Sequence, residues 1–256
     1  MPAKGATALH EDARARAATV AAVRLDGVTR KYGATHALAD VSLEIAPGEV
    51  VAVVGPSGCG KSTLLDLVCG LAEPDRGTVT ARPAVLMPQR DALLPWLTAL
   101  DNAALPLRVE GRSKEDARER ARTLLAQLGL DGFERTRPHE LSGGMRQRVA
   151  FARTLLAGRD VLCLDEPFGA LDAITRAQAH TWLADALTAE PRTVLLVTHD
   201  VEEAVVVADR VVVLSPRPGR VVADLPVTAP RPRAATAPEL VALRAQALER
   251  LAGAAA

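Results

Sequence analysis

The sequence predicts an α/β domain: a mostly parallel sheet, a small antiparallel β edge and an inserted α-helical subdomain. Three observations predict it. Short β-branched runs alternate with helical stretches from Val23 onward and again after Gly158, as in successive βαβ units. Val50-Val51-Ala52-Val53-Val54 is continuously apolar, as strands covered on both faces are. Between these regions, Ala99 to Gly129 has helical spacing and no strand run.

Residues 1–20 are Ala-rich and charged. They read as a loose arm, with a weak amphipathic helix as the competing reading. Residues 21–227 read as the main domain, with the helical subdomain inserted at about 91–155. Val41-Ser42-Leu43-Glu44-Ile45 alternates apolar and polar, as a half-buried strand does. Pro47-Gly48 marks a turn. Lys61 to Leu71 carries Leu64, Leu65, Val68 and Leu71 at helical spacing. Ser113 with Asp116 three places on is a capping-box signal. Strands return at Val161–Leu164, Thr193–Thr198 and Val211–Leu214, separated by helical segments at Asp172–Ala189 and Val201–Ala208. Residues 228–256 read as a Pro-rich linker and a short helix. Pro226, Pro230, Pro232 and Pro238 lie in a Thr/Ala/Arg stretch that favours extended chain. Pro238 to Leu251 then sets Leu240, Leu243, Leu248 and Leu251 on one helical face.

Composition excludes several classes. Lys plus Arg number 31 and Asp plus Glu 31, and a neutral balance argues against a protein that wraps nucleic acid. A 48% apolar share excludes a wholly disordered chain. Cys59, Cys69 and Cys163 are an odd number without framework spacing and read as reduced thiols. The longest apolar candidate for a membrane span, 204–214, is broken by Asp209 and Arg210, so a spanning helix is not expected. The acidic N-terminal stretch is not expected to be a secretory leader.

Chemistry concentrates in three places. Gly55-Pro56-Ser57-Gly58-Cys59-Gly60-Lys61-Ser62-Thr63 fits G-x-x-x-x-G-K-[ST] between a strand and a helix. Its glycines let backbone N–H groups converge on phosphate oxygens, and the helix end adds positive potential. Lys61 would reach the β- and γ-phosphates, and Ser62 would ligate Mg²⁺. Asp165-Glu166 ends an apolar strand, with Asp165 suited to hold Mg²⁺ and Glu166 to polarise water. Adjacent strand residues point oppositely, so the roles of the two acids differ. Ser142-Gly143-Gly144-Met145 opens another helix with Ser142 as N-cap. This is a second anion-binding helix end, most economically used for the nucleotide of another subunit. Alone it would be a plain cap.

The Ser-Gly-Gly segment, lying between a phosphate loop and the Asp165-Glu166 strand, resembles the signature motif of ATP-binding cassette (ABC) transporter ATPases. Further elements follow in the family's order over about residues 22–225. Tyr32 resembles the aromatic that stacks on adenine. Gln89 resembles the glutamine that links metal and attacking water to the helical subdomain. Gly169-Ala170-Leu171-Asp172 resembles the loop that crosses to the partner, and His199 resembles the histidine that contacts the γ-phosphate. The resemblance implies ATP with Mg²⁺ held by Ser62, Gln89 and Asp165, and catalysis by Glu166, His199, Gln89 and Lys61.

It also implies a head-to-tail homodimer, each ATP lying between one copy's Gly55–Thr63 and the other's Ser142–Gly144. Met145 stands where the family often has Gln. The stretch from Gly77 to Gln89 is short and is expected to trim the antiparallel sheet. Leu93-Leu94-Pro95-Trp96-Leu97-Thr98-Ala99-Leu100-Asp101-Asn102 is similar to the corresponding segment of nitrate, sulfonate and taurine importer ATPases. A Trp beside a Pro-Leu run is also a rigid apolar surface suited to a partner helix. Implied partners are integral-membrane permease subunits and, indirectly, an extracytoplasmic solute-binding protein. No nucleic-acid partner is expected. The implied location is cytoplasmic, peripheral on the inner face of the cell membrane. The ATPase of an exporter, of a lipoprotein-release complex or of a thiamine-precursor importer is the alternative. The thiol of Cys59, inside the phosphate loop, reads as a tolerated small side chain or as a group whose modification blocks ATP.

Overall fold

A computed structural model of the protein describes residues 21–169, 171–189, 191–231 and 233–255. The expected N-terminal arm, Ala170 and Pro232 lie outside the described residues. Two sheets organise the rest. Strands β1 (Val23–Tyr32), β2 (Thr35–Ile45) and β4 (Arg76–Ala81) form a three-stranded antiparallel sheet in the order β2-β1-β4. Strands β3 (Val50–Val54), β5 (Ala84–Met87), β6 (Val161–Asp165), β7 (Thr193–Thr198), β8 (Arg210–Leu214) and β9 (Val221–Pro226) form a six-stranded sheet, ordered β5-β6-β7-β3-β8-β9. Every neighbouring pair in it is parallel except β8 and β9.

All five residues of β3 are buried, and they divide by the strand period of two. Val50, Ala52 and Val54 join an apolar cluster with the helical insert, while Val51 and Val53 join one with Leu64, Leu65 and the antiparallel sheet. β7 and β8 split likewise: Leu196 and Val211 face the first cluster, Val197 and Val212 the second. Both faces of the parallel sheet are therefore covered, which is why these strands read as unbroken apolar runs. The helix α1 (Lys61–Val68) starts directly at the phosphate loop and buries Leu64, Leu65, Leu67 and Val68.

The insert is built from α2 (Ala99–Val109), α3 (Lys114–Gln127) and α4 (Gly143–Leu156). Thr98, Ser113 and Ser142 cap them, their hydroxyls accepting from the N–H of Asp101, Asp116 and Met145. Their buried faces join the cluster containing β3's Val50, so insert and sheet share one core. The helices α5 (Ala173–Ala189), α6 (Val201–Val207) and α7 (Pro238–Ala255) complete the chain.

The structure corrects two expectations. The short segment after Gly77 does not simply trim the antiparallel sheet. It divides between the sheets: β4 pairs with β1, and β5 becomes the edge of the parallel sheet beside β6. The turn between them is tied to both, Arg82 N–H donating to Ala22 and the carbonyl of Pro83 accepting from Val161. In α7, Leu240 and Ala247 are buried and Leu243 and Leu251 pack on the core, but Leu248 is exposed. Ala247 leads the inward face, so Leu248 is turned one helical step outward.

Candidate functional site

The phosphate loop runs from β3 to α1. Gly60 has φ +108°, and a Cβ there would sit 2.7 Å from the Ala37 carbonyl oxygen, so only glycine fits. Gly60 is the N-cap of α1 and supplies no side-chain acceptor. The first-turn N–H groups are therefore left to bind an anion. Lys61 is buried, its ammonium donating to the carbonyls of Gly55 (2.7 Å) and Pro56 (3.1 Å). The loop thus holds its own lysine folded back against it.

A cleft of about 500 Å³ opens over this loop, a volume in the range of small-ligand sites. Tyr32, half exposed, stands at one side with the Arg30 guanidinium 4.8 Å from its ring centroid. Ser57, Gly58, Gly60, Lys61, Ser62 and Thr63 form the floor, with Gln89, Asp165 and Glu166 at the other side. Gly55, Pro56 and Cys59 do not line the cleft, and Pro56 is exposed outside it. Cys59 is buried, and a Cβ on Gly55 would meet its Sγ at 2.7 Å. Burial pushes this thiol up from its ordinary value, so it is a poor nucleophile facing the loop's underside.

The two acids separate as their strand positions require. Burial raises the Asp165 carboxyl pKa and Glu166 adds repulsion, while the neighbouring Ser62 and Lys61 oppose the rise. Glu166 lies just past the strand at φ +47°, a left-handed conformation that costs a non-glycine residue about 1–2 kcal/mol. Its backbone is pinned there: its N–H donates to Val197 (2.8 Å) and its carbonyl accepts from Gly169 (3.2 Å). The carboxylate is then held from two sides. Gln89 Nε2 donates to Oε2 at 2.9 Å, and His199 Nδ1 lies 3.1 Å from Oε1. His199 itself is 60% exposed and reaches the cleft only through Glu166, since it is not among the lining residues. Oxygen donors at Ser62 and Asp165, side by side at the cleft floor, suit a hard cation that takes its remaining ligands from phosphate and water.

The remaining predicted residues stand apart from this cleft. Ser142 is exposed, and its hydroxyl caps α4 by accepting from Met145 at 3.2 Å. Gly144 backs onto Leu171 and Thr175, where an added Cβ would lie 3.2 and 3.6 Å from their side chains. Met145 packs on the core. Asp172 is exposed and caps α5 through Thr175, at 3.0 Å from its N–H and 2.6 Å from its hydroxyl. Neither Ser142–Met145 nor Asp172 lines the cleft.

Two residues escape a motif reading. Arg217, in the turn between β8 and β9, lines the cleft and donates from Nε to the Gly58 carbonyl at 2.9 Å. Only the Ser-Pro-Arg-Pro-Gly composition hinted at a turn there. Asn102 is fully buried in α2. Its amide donates to the carbonyls of Leu94, Leu97 and Thr98, and its Oδ1 accepts from Leu94 N–H at 2.8 Å. No sequence signal singled it out, since its burial follows from the fold. Asn102 fastens the loop at 94–98 while Trp96 stays 67% exposed.

A strand-to-helix phosphate loop, two acids across a cleft and a half-exposed tyrosine define a P-loop nucleoside triphosphatase. The sequence profile of the ABC transporter family matches residues 38–169, and the chain belongs to that family. It is 47% identical to aliphatic sulfonates import ATP-binding protein SsuB 1 of Rhodococcus jostii, over 89% of this chain and 92% of that one. It is 48% identical to taurine import ATP-binding protein TauB of Burkholderia pseudomallei, over 75% and 78%. A dimeric post-hydrolysis structure of the ATP-binding cassette MJ0796 bound to ADP and Pi superposes with a TM-score of 0.73 at 32% identity, covering 81% of this chain and 99% of that one. The fold is that of an ABC ATPase. Among the described residues, no helix is long and apolar enough to cross a membrane.

Proposed function

We propose that this chain is the ATP-hydrolysing subunit of a bacterial ABC importer for a small solute of the nitrate, sulfonate or taurine type, energising uptake through a separate permease. The observation that carries the reading is the Glu166 carboxylate, fixed between Gln89 and His199 above the phosphate loop. The import names of the relatives support the direction of transport.

The bare N–H groups of α1 and Lys61 bind the phosphates, and Tyr32 stacks on adenine. Ser62, Asp165 and Gln89 would hold Mg²⁺, which would supply positive charge for the transferring phosphoryl group. Glu166 accepts a proton from the attacking water, and His199 and Lys61 stabilise the phosphoryl oxygens. Holding Glu166 before the substrate arrives lowers the reorganisation needed at the reaction step.

Ser142, Gly143, Gly144 and Asp172 act in trans. Ser142 and Asp172 are exposed and lie off their own cleft, which supports a second copy completing each ATP site. Dimer closure is then the gating step. The rigid Leu94-Pro95-Trp96-Leu97 loop receives a permease helix, which places the subunit peripherally on the inner face of the membrane. A solute-binding protein outside delivers the substrate. The domain reading stands with this proposal: residues 21–227 do the work, and the helix after 228 covers one end.

An affinity purification of the tagged chain from solubilised native membranes tests the assignment. Co-purification of a multi-spanning permease, with magnesium-dependent ATPase in the eluate, is the expected result. Recovery of only soluble partners contradicts the transport role.

A further inference from the structure

The segment Ser215-Pro216-Arg217-Pro218-Gly219-Arg220 is more than a turn between β8 and β9. It is folded on itself: Ser215 Oγ donates toward the Pro216 and Pro218 carbonyls and accepts from the Arg220 N–H, and Ser215 N–H donates to Arg220. It is also laced to β2, with Gly219 N–H donating to Ala37 (2.9 Å) and Ala39 N–H donating to Gly219 (3.0 Å). Gly219 presses directly on the phosphate loop, because a Cβ there would lie 2.2 Å from the Cys59 carbonyl oxygen. The segment is thus a strap joining the antiparallel sheet to the loop.

The strap places one cation over that loop. Arg217 Nη2 lies 2.8 Å from where a Cβ on Gly58 would stand. Its Nε is spent on the Gly58 carbonyl at 2.9 Å. Among the described residues Arg217 has no carboxylate partner, and it lines the cleft with Tyr32, Gly58 and Lys61. A guanidinium beside a phosphate loop, with two terminal nitrogens uncommitted, matches phosphate oxygens in charge and in fork geometry.

We infer that Arg217 is a nucleotide-binding residue whose guanidinium contacts the polyphosphate of the bound nucleotide, held in place by the Ser215–Arg220 strap. The inference rests on the reading of this cleft as the ATP site. A bare arginine in this position adds attraction for anions that Lys61, hydrogen-bonded inside the loop, does not supply until it moves.

The test is equilibrium titration of the full chain with a fluorescent ADP analogue at two salt concentrations. The proteins are the wild type, Arg217→Lys, Arg217→Gln and Arg217→Ala, each with a melting curve taken without nucleotide. Arg217→Gln still offers an N–H to the Gly58 carbonyl but carries no charge. The expected result is about tenfold weaker ADP binding in Gln and Ala, the scale of one exposed charge-assisted contact. Lys should recover part of the affinity, salt dependence should be shallower in Gln and Ala, and the nucleotide-free melting temperature of Gln should be unchanged. Wild-type affinity and salt dependence in Gln would overturn the inference and leave only a neutral strap. A parallel loss of affinity and nucleotide-free stability in Lys and Gln alike would also overturn it. Failure of the wild type to bind ADP would overturn the reading of the cleft itself, a separate outcome.

Discussion

Gln89 Nε2 donates a 2.9 Å hydrogen bond to Glu166 Oε2 across 77 positions of sequence. The bond joins the end of β6 to the loop that leads into the helical insert. That loop is not free. Arg146, on the Ser142-capped helix α4, pairs with Asp91 at 2.8 Å, and Arg153 donates to the carbonyls of Asp91 and Ala92. Asn102 fixes the stretch beyond it. A continuous set of contacts therefore runs from the carboxylate at the phosphate end of the cleft to the exposed Trp96.

Gln89→Ala removes one of the two groups orienting Glu166. ATP affinity should change little, while kcat falls about tenfold, the equivalent of one modest hydrogen bond lost in the transition state. Steady-state ATPase with a parallel nucleotide titration separates the two parameters.

Asn102→Ala should cost about 2 kcal/mol, because the Leu94 N–H and C=O lose their partner in a part-buried site. Amide exchange should quicken across 94–98 and leave the phosphate loop unaffected. Uniform protection across both segments would contradict the assigned fastening.

Gly219→Ala forces a methyl against the Cys59 carbonyl. The loop or the strap must shift, at a cost of about 1–3 kcal/mol. A lower melting temperature together with weaker nucleotide binding is expected, whereas Gly253→Ala, with open space around its Cα, should be silent in both.

Glu203 on α6 is buried, and burial together with Asp200 pushes its carboxyl up to about 8 from an ordinary 4.5. The folded state therefore binds the proton more tightly than the unfolded state. Its contribution to stability is complete below about 4.5 and is lost as pH rises through about 8. His180 acts oppositely: burial lowers it to about 4, so its contribution is lost as pH falls from 6.5 toward that value. Wild-type melting temperature should fall between pH 6.5, above which His180 no longer opposes the change, and about pH 8, and Glu203→Gln should flatten that slope. An unchanged slope in the variant would assign it elsewhere.

Much of this was legible in the residues. The apolar runs at 50–54, 161–164, 193–198 and 211–214 announced the buried parallel strands, because chains covered on both faces have no polar side to show. Ser113 and Ser142 announced their helices through capping chemistry. The first hairpin was less visible. Asp26-Gly27 and Arg30-Lys31 interrupt the alternation of β1, and its register with β2 shifts three times. The strand β9 was hidden for a related reason: it lies at the sheet edge, ends in Pro226 and buries only Leu225 well.

The site divides the same way. Phosphate loop, acid pair and Ser-Gly-Gly turn depend on local sequence, so they could be read. The left-handed backbone of Glu166 and the position of Arg217 over Gly58 depend on contacts between distant segments that no window of sequence contains. The Asn102 bonds are local, to Leu94, Leu97 and Thr98, but the burial that makes them matter is set by the fold. Leu248 shows the limit within a single helix, where spacing alone placed it inward and packing against α6, β8 and β9 selected Ala247 instead.

The central claim is that Glu166 takes the proton from the attacking water. The most direct test compares single-turnover ATP hydrolysis by Glu166→Gln with that of the wild type, alongside nucleotide affinity. The account predicts ATP binding at wild-type strength and hydrolysis slower by at least about 10²-fold, the scale of a lost general base. Near-normal hydrolysis by the variant would contradict it and move the role to another group in the cleft.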